Sequence, residues 1–237
     1  MVEELKARYE HVLAEIEQVA RRAGRRPEEI RLVVVTKGHP VSAIEALYLL
    51  GGRYIGENRV EEALKKQAVL ADLEDLNWHM IGHIQSRKAA RVAGNFSLVH
   101  SLDSVKLAHR LDRFAGEADV TQDVLLQFNV SGEETKSGWE AWDESRWESL
   151  LPEIEAVLDC NHLRVRGLMT MAPYSLNPED ARPSFARLNR LRGWLARRFE
   201  HHDWDQLSMG MSGDFVPAIE EGATILRVGT AVMGPRF

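Results

Sequence analysis

Lys37 carries the clearest chemical signal in this sequence. It follows three consecutive valines and a threonine, a β-branched run typical of a strand that is buried on both faces. Lysine is rarely buried unless it is paired or functional, and an apolar wall lowers the pKa of its ammonium group. The resulting neutral amine can attack an aldehyde, so Lys37 is a candidate Schiff-base lysine. The alternative is a lysine that reaches solvent at the end of a strand.

Two glycine-bearing segments could bind a phosphate group. In segment 207–214, LSMGMSGD, small residues connect a predicted strand to a short helix, and Ser212 offers a hydroxyl. In segment 226–234, LRVGTAVMG, Gly229 and Thr230 offer two backbone N–H donors. Glycine lets a backbone donor approach an anion closely, and a helix N-terminus adds positive potential. Together the two segments predict a phosphate site, although each alone is a weak signal.

Further polar residues fall where predicted strands end. Asn58 could simply cap the following helix, and His83 could be a structural histidine. Their common position favours a shared site, because the strands of a parallel barrel end at one face, where active sites form. These candidates are Glu57, Asn58, His83, Ser101, Asn129, Thr170, Met171, Ser208, Gly210 and Arg227.

The spacing of apolar residues predicts strands and helices in alternation. An amphipathic helix over residues 3–23 comes first, with apolar side chains three and four positions apart. Strands are then predicted at 30–37, 54–56, 78–82, 98–101, 124–130, 165–171, 207–211 and 224–233. Helices are predicted at 41–50, 59–70, 86–93, 104–115, 145–158, 179–199 and 215–221.

This order of elements predicts an α/β fold. Strands alternating with helices indicate βαβ units, and eight such units fit a closed barrel. We therefore expect a single (β/α)8 TIM-type barrel with an extra N-terminal helix, forming one domain over residues 1–237. An open, doubly wound sheet is the alternative.

Composition narrows the class of protein. The chain has 237 residues, 44% of them hydrophobic and 28% charged, as in ordinary globular proteins. A net charge of −6 argues against broad nucleic-acid binding. The single cysteine, Cys160, excludes an internal disulfide and a Cys-based zinc site. We see neither a signal peptide nor a membrane span, and we expect a cytoplasmic monomer.

Seven segments, in order along nearly the whole chain, carry a family resemblance: VVTKGHP (34–40), IGENRVEE (55–62), WHMIGHIQSRK (78–88), FNVSGEETKSG (128–138), RGLMTMAP (166–173), LSMGMSGD (207–214) and LRVGTAVMG (226–234). Together they resemble the pyridoxal phosphate homeostasis proteins, once called proline synthetase co-transcribed proteins. The last segment also resembles the phosphate-binding strand of bacterial alanine racemases. The resemblance implies a barrel that binds pyridoxal 5′-phosphate.

The resemblance also implies roles for individual residues. Lys37 would form the Schiff base, and Arg227 would lie beside the pyridine nitrogen. The phosphate contacts would come from Ser212, Gly229, Thr230 and the backbone near Met211. The face of the cofactor would be lined by Asn58, His83 and Asn129.

Two lysine positions bear on how a cofactor could be transferred. His39 stands where the family usually has a second lysine, which argues against a transfer route through that residue. Lys136 matches a lysine that the family often keeps, and we favour its interpretation as a solvated loop charge.

The implied function is to hold and supply pyridoxal 5′-phosphate in intracellular vitamin B6 homeostasis, without catalytic turnover and with pyridoxal-phosphate-dependent apoenzymes as partners. The alternative is a small single-domain racemase of weak activity. Racemisation needs a base on each face of the cofactor, and we expect no second domain to supply one. Arg227 beside the ring nitrogen would oppose its protonation and weaken the electron sink.

Two other enzyme classes are disfavoured by residue placement. A Schiff-base aldolase would need an acid–base pair opposite Lys37, and none is evident. A zinc hydrolase is a poor match because His79 and His83 straddle the end of a strand instead of sharing a helix face.

Overall fold

Eight parallel strands close into a barrel in the computed structural model, which describes residues 2–235. Around the barrel the strand order is β1-β2-β3-β4-β5-β7-β8-β9, and β9 pairs with β1 to complete it. The two-residue strand β6 pairs with β5 at the edge of the barrel sheet. The strands are β1 (Arg31–Val35), β2 (Tyr54–Glu57), β3 (Asn77–Met80), β4 (Leu98–Leu102), β5 (Gln122–Asn129), β6 (Trp139–Glu140), β7 (Leu163–Met169), β8 (Gln206–Ser208) and β9 (Ile225–Val228). The predicted (β/α)8 TIM-type fold is confirmed.

Helices surround the barrel, and the extra N-terminal helix packs against the last two helices and the first βα helix. The α-helices are α1 (Val2–Arg22), α2 (Val41–Leu49), α3 (Val60–Val69), α4 (Val105–Glu117), α5 (Leu151–Leu158), α6 (Arg182–Ala196), α7 (Phe215–Glu220) and α8 (Thr230–Met233). Short 3₁₀-helices occupy Pro27–Glu29, Ser86–Arg91, Glu144–Leu150 and Pro178–Ala181.

The apolar residues form an outer and an inner core. The outer core lies between the strands and the helices and contains most of the buried apolar side chains. The inner core lies inside the barrel, because successive side chains of a strand point to opposite faces. Its members are Val33, Leu98, Leu125, Met169 and Ile225. Polar side chains on the same strands therefore share the barrel interior with this small apolar cluster.

Several element boundaries differ from those predicted. The first strand ends at Val35, so Lys37 lies in the following turn and not in the strand. The predicted last strand over 224–233 is wrong beyond Val228, where a break at Gly229 leads into the short helix α8. Thr230 is thus the first residue of a helix. The predicted helix over 86–93 is a 3₁₀-helix, and the polar loop that begins at Ser131 leads into the unpredicted strand β6.

Two further findings concern membranes and metals. None of the helices in the described residues 2–235 combines the length and the hydropathy needed to cross a bilayer. Within the same residues, no three His, Cys, Asp or Glu side chains are grouped to hold a metal ion. His79 is buried in β3, whereas His83 is exposed.

Candidate functional site

A cavity of about 500 Å³ opens at the carboxyl ends of the strands. Its wall combines the end of β1 with the loops that follow β7, β8 and β9. Six of the nine residues predicted to bind a cofactor line it: Lys37, Met211, Ser212, Arg227, Gly229 and Thr230. A larger recess of about 820 Å³ lies at the opposite end, among the first residues of the strands and under α1.

Lys37 reaches the cavity from a tight turn after β1. The turn closes with a hydrogen bond from the His39 N–H to the Thr36 carbonyl. Gly38 has a φ of 75°, a left-handed conformation that glycine adopts at little cost. The Lys37 residue is half-buried. The end of the strand and the glycine together therefore set the direction from which this lysine enters the cavity.

A buried cluster of charged side chains hydrogen-bonds to the backbone of this turn. The Lys66 ammonium on α3 donates to the Thr36 carbonyl at 2.9 Å, to Glu57 Oε1 at 2.7 Å and to Glu62 Oε1 at 2.8 Å. The Thr36 hydroxyl donates to Glu57 Oε1 at 2.6 Å, and the Gly38 N–H donates to Glu62 Oε1 at 2.7 Å. Burial raises the pKa of the Glu57 carboxyl, and the hydrogen bonds from Lys66 and Thr36 oppose this rise. The cluster fixes the backbone on both sides of Lys37.

We expect Lys66→Met to lower the free energy of unfolding by about 3–5 kcal/mol, the usual effect of removing one partner from a buried ion pair. Glu57, which is fully buried, would lose its cation. Urea unfolding of both proteins measures the change. Lys65→Met is the matched control, because Lys65 is the exposed neighbour on α3. Equal stabilities of the two variants would contradict a role for this cluster.

Ser212 organises the backbone donors at the other side of the cavity. Its Oγ accepts hydrogen bonds from the Gly229 N–H at 3.2 Å and from the Ala231 N–H at 3.3 Å. Gly210 allows the β8–α7 loop to fold back here: its φ is 90°, and a Cβ at this position would lie 2.6 Å from the Ala218 Cβ. Two backbone N–H groups and a hydroxyl thus converge where β8 and β9 end.

Arg227 is a buried cation in the wall of the cavity. Its side chain donates to the Ser208 hydroxyl at 2.6 Å and to the Thr170 carbonyl at 2.8 Å. Burial lowers the pKa of Arg227 to about 10, so the guanidinium stays charged at neutral pH. Asp214 also lines the cavity, and its carboxylate accepts from the Met211 N–H at 2.5 Å. Burial raises the pKa of Asp214.

Three predicted site residues lie outside the cavity lining. Asn58 is half-buried, two residues beyond Gly56, which pairs with Val35. Asn129 is buried, and its amide shapes the loop after β5 by bonding to backbone groups of residues 131–133. His83 is exposed and hydrogen-bonds Asp103 at 3.0 Å.

Lys136 is not the solvated loop charge that we favoured from the sequence. Only 16% of its side chain is exposed, and its ammonium lies 2.5 Å from a Glu133 carboxylate oxygen. It also donates to the Met171 carbonyl at 3.0 Å and to the Ser131 hydroxyl at 3.3 Å. Lys136 therefore connects the loop after β5 to the loop after β7.

No pattern in the sequence indicated the apolar rim of the cavity. Tyr174 belongs to the lining and is 92% exposed, and Leu176 beside it is also 92% exposed. Met171, on the loop after β7, and Met211, on the loop after β8, are also partly exposed. Exposed apolar residues in loops are individually common, so only the fold reveals that Tyr174 and Met211 border one opening.

The family follows from this fold and these segments. A model of the N-terminal domain of alanine racemase matches residues 8–236. This protein belongs to the alanine racemase N-terminal domain family. As a member of it, the chain is 44% identical over 229 residues to the pyridoxal phosphate homeostasis protein of Aquifex aeolicus, with 97% of each chain covered. The predicted membership of the pyridoxal phosphate homeostasis proteins is thus confirmed.

Solved structures of this family share the barrel. PipY of Synechococcus elongatus, solved without pyridoxal phosphate, is 38% identical with a TM-score of 0.82, covering 92% of this chain and 99% of PipY. PipY with pyridoxal phosphate bound has a TM-score of 0.79 at the same coverage. An alanine racemase from Clostridium difficile is 14% identical with a TM-score of 0.68, covering 93% of this chain and 56% of the racemase. At this identity, the likeness shows the fold alone.

The residues of this family member fit pyridoxal 5′-phosphate. The Ser212 hydroxyl accepts from two backbone donors that an oxygen of a phosphate could equally accept from. Arg227 places a fixed cation in the wall. Asn58 Oδ1 is a buried acceptor without a hydrogen-bond partner among the described residues. When bound, the cofactor supplies an aldehyde for a lysine amine and an electron-withdrawing ring.

Proposed function

We propose that this protein binds pyridoxal 5′-phosphate as a Schiff base on Lys37 and serves vitamin B6 homeostasis without catalytic turnover. The amine of Lys37 would condense with the aldehyde and release one water. Ser212, Gly229, Thr230 and the backbone at Met211 would hold the phosphate. Arg227 would face the pyridine ring, with Asn58, His83 and Asn129 contributing from the loops.

One observation carries the proposal. A lysine, a buried arginine and a cluster of backbone donors line the same cavity at the carboxyl ends of the strands, where barrel enzymes bind phosphorylated ligands. The names of the relatives point the same way, since three proteins that are 40–44% identical to this chain are called homeostasis proteins and not enzymes. The PipY structure with pyridoxal phosphate bound adds a family member that holds this ligand.

We expect Lys37→Ala to abolish covalent attachment of the cofactor. The purified protein should be yellow when loaded, and borohydride should fix a pyridoxyl group on Lys37, because reduction makes a Schiff base permanent. Peptide mass mapping locates the label. Lys136→Ala and Lys88→Ala are the controls and should retain labelling at Lys37. A label on Lys136 or Lys88 in the wild type would contradict the assignment.

We expect no efficient chemistry on amino acids. Removal of an α-proton needs a placed base and an electron sink, and the absence of general-base help alone costs about 10²–10⁴ in rate. The buried Arg227 charge opposes protonation of a ring nitrogen placed against it, which weakens that sink. Proton NMR of L-amino acids in heavy water measures the exchange. Loss of the α-proton signal at about 10 per second, an ordinary enzymatic rate, would favour the racemase alternative.

The remaining features of the proposal concern the cellular role. Pyridoxal-phosphate-dependent apoenzymes are the proposed recipients, in the cytoplasm, and the chain would act as a monomer built from one barrel domain. A net charge of −6 supports a protein that avoids nucleic acid. Sedimentation measurements test the monomer. If the protein instead self-associates, the exposed side chains of Tyr174 and Leu176 are the expected contacts.

A further inference from the structure

A line of four polar side chains crosses the inside of the barrel. His79 Nδ1 lies 2.8 Å from His100 Nε2, and His100 Nδ1 lies 2.7 Å from Ser208 Oγ. Arg227 then donates to Ser208 Oγ at 2.6 Å. The four residues are at most 4% exposed. Polar groups buried this deeply need every hydrogen bond that they can make.

The strand pattern explains why these residues meet. Leu98 and Ile225 belong to the inner apolar core, and His100 and Arg227 each follow two residues later on the same strand. They therefore point to the same face, the barrel interior. Ser208 pairs with Ile225 in the register of β8 and β9. Four separate strands thus bring one line of hydrogen bonds together.

The direction of donation along this line is set by Arg227. A guanidinium has only donors, so the Ser208 oxygen accepts from it. Among the described residues, the Ser208 hydroxyl proton then has His100 Nδ1 as its acceptor. With Nδ1 accepting, the His100 proton sits on Nε2 and is donated to His79 Nδ1. His79 in turn carries its proton on Nε2.

The reverse direction leaves a buried group unsatisfied. If His100 Nδ1 donated to Ser208, the serine oxygen would accept twice, and its own proton would have no acceptor among the described residues. An unpaired buried donor is strongly disfavoured. Burial also keeps both rings neutral, because it lowers the pKa of His79 to about 3 and that of His100 well below its usual range.

The two ends of the line lie at opposite faces of the barrel. Arg227 lines the cavity that contains Lys37. His79 lines a recess of about 300 Å³ among the first residues of the strands, together with Arg31 and Gln206. Gln206 Oε1 is buried there without a hydrogen-bond partner among the described residues. The line of hydrogen bonds therefore runs from the Lys37 cavity to this recess.

We propose that His79 and His100, both protonated on Nε2, are positioning residues that keep the Ser208 hydroxyl oriented as an acceptor for Arg227. This role rests on the proposed function, because Arg227 acts on the cofactor ring only if that ring binds in the Lys37 cavity. The histidines act through Ser208 and touch no ligand. Their effect is to hold the Arg227 guanidinium at one fixed position in the wall of the cavity.

Nitrogen-15 NMR of histidine-labelled protein tests the direction without any cofactor. The wild type should show Nε2 protonated and Nδ1 unprotonated in both buried rings. Arg227→Met removes the donor that sets the direction, so His100 should lose its preference for one tautomer. His109→Gln, at an exposed position of α4, is the control and should leave both rings unchanged. A proton on His100 Nδ1 in the wild type would overturn the proposal.

A second measurement uses the protein loaded with pyridoxal 5′-phosphate. Ser208→Ala should move the pH midpoint of the cofactor absorption band by about one unit or more, the pKa change expected from one lost charge-assisted hydrogen bond. Ser208→Thr keeps a hydroxyl and should restore the wild-type midpoint. An unchanged midpoint in Ser208→Ala would overturn the positioning role, whereas failure of the wild type to bind the cofactor would instead refute the proposed function and leave the tautomer result standing.

Discussion

Pyridoxal should bind about 10²–10⁴-fold more weakly than pyridoxal 5′-phosphate. The two ligands share the aldehyde and the ring, so the difference isolates the contacts to the phosphate. At least two of the proposed phosphate contacts, the Ser212 hydroxyl and the Gly229 N–H, lie side by side in the cavity wall, 3.2 Å apart. Each charge-assisted hydrogen bond contributes about 1.5–3 kcal/mol, and 1.4 kcal/mol corresponds to a factor of ten in affinity. Absorbance titrations of both ligands measure the ratio.

Two variants show whether the discrimination comes from this cluster of donors. Gly229→Val should weaken binding of the phosphate ester, because the added side chain would grow from a cavity-lining position. A Cβ there would lie 3.5 Å from the Val35 Cβ, an ordinary contact, so a folded variant is expected. Ser212→Ala should narrow the ratio between the two ligands, whereas the exposed Ser149→Ala should not. Equal wild-type affinities for both ligands would refute the phosphate site.

The eight barrel strands could be predicted because each is a short apolar run between helical patterns. The same alternation also predicts that Lys37, Ser212 and Arg227 lie at one face, because the parallel strands of a barrel end together. The end of the last strand was harder to predict. LRVGTAVMG is apolar and β-branched on both sides of Gly229, and an apolar run alone does not distinguish strand from buried helix. The break at Gly229 depends on its backbone angles.

Side-chain direction limited the prediction of the site. His83 directly follows the predicted strand over 78–82, but β3 ends at Met80 and the His83 ring turns outward onto Asp103. Asn129 is the last residue of β5, as predicted for a site residue, but its amide hydrogen-bonds to the loop that follows. Position at a strand end predicts neither outcome, because the partner of His83 comes from the loop after β4 and those of Asn129 come from the way its own loop folds. The Lys66 cluster was missed for the same reason: nothing in α3 alone shows that its lysine is buried.

The line of buried histidines depends on the closed barrel. His79 and His100 lie on adjacent strands, whereas Ser208 and Arg227 come from strands about a hundred residues further along. Alternation predicts which face a side chain occupies, but it does not predict which faces meet across an interior. Only the register and the closure of β9 on β1 bring these four residues within hydrogen-bond distance.

Acid should destabilise this protein through the same two histidines. In the unfolded chain a histidine gains its proton near pH 6.5, whereas burial lowers the pKa of His79 to about 3 in the folded state. Below pH 6.5 the unfolded state therefore binds more protons, and the stability falls as the pH falls toward 3. From pH 6.5 to pH 5, His79 alone should remove about 1.6 kcal/mol. His100, whose pKa is also lowered, acts in the same direction.

The pH dependence of a single variant isolates this effect. Burial raises the pKa values of Glu57 and Asp214, so these carboxyls change the stability in the opposite direction and obscure the absolute curve. Replacing His79 by glutamine removes one titrating group, and the mean slope of the free energy of unfolding between pH 5 and 6.5 should decrease by about 1.1 kcal/mol per pH unit. His109→Gln, at an exposed position, should keep the wild-type slope.

Identical slopes in all three proteins, measured by urea unfolding, would mean that the His79 ring accepts a proton inside the folded barrel. The hydrogen-bonded line to Arg227 would then be interrupted under mildly acidic conditions, because a doubly protonated His79 has no acceptor nitrogen for the His100 Nε2–H.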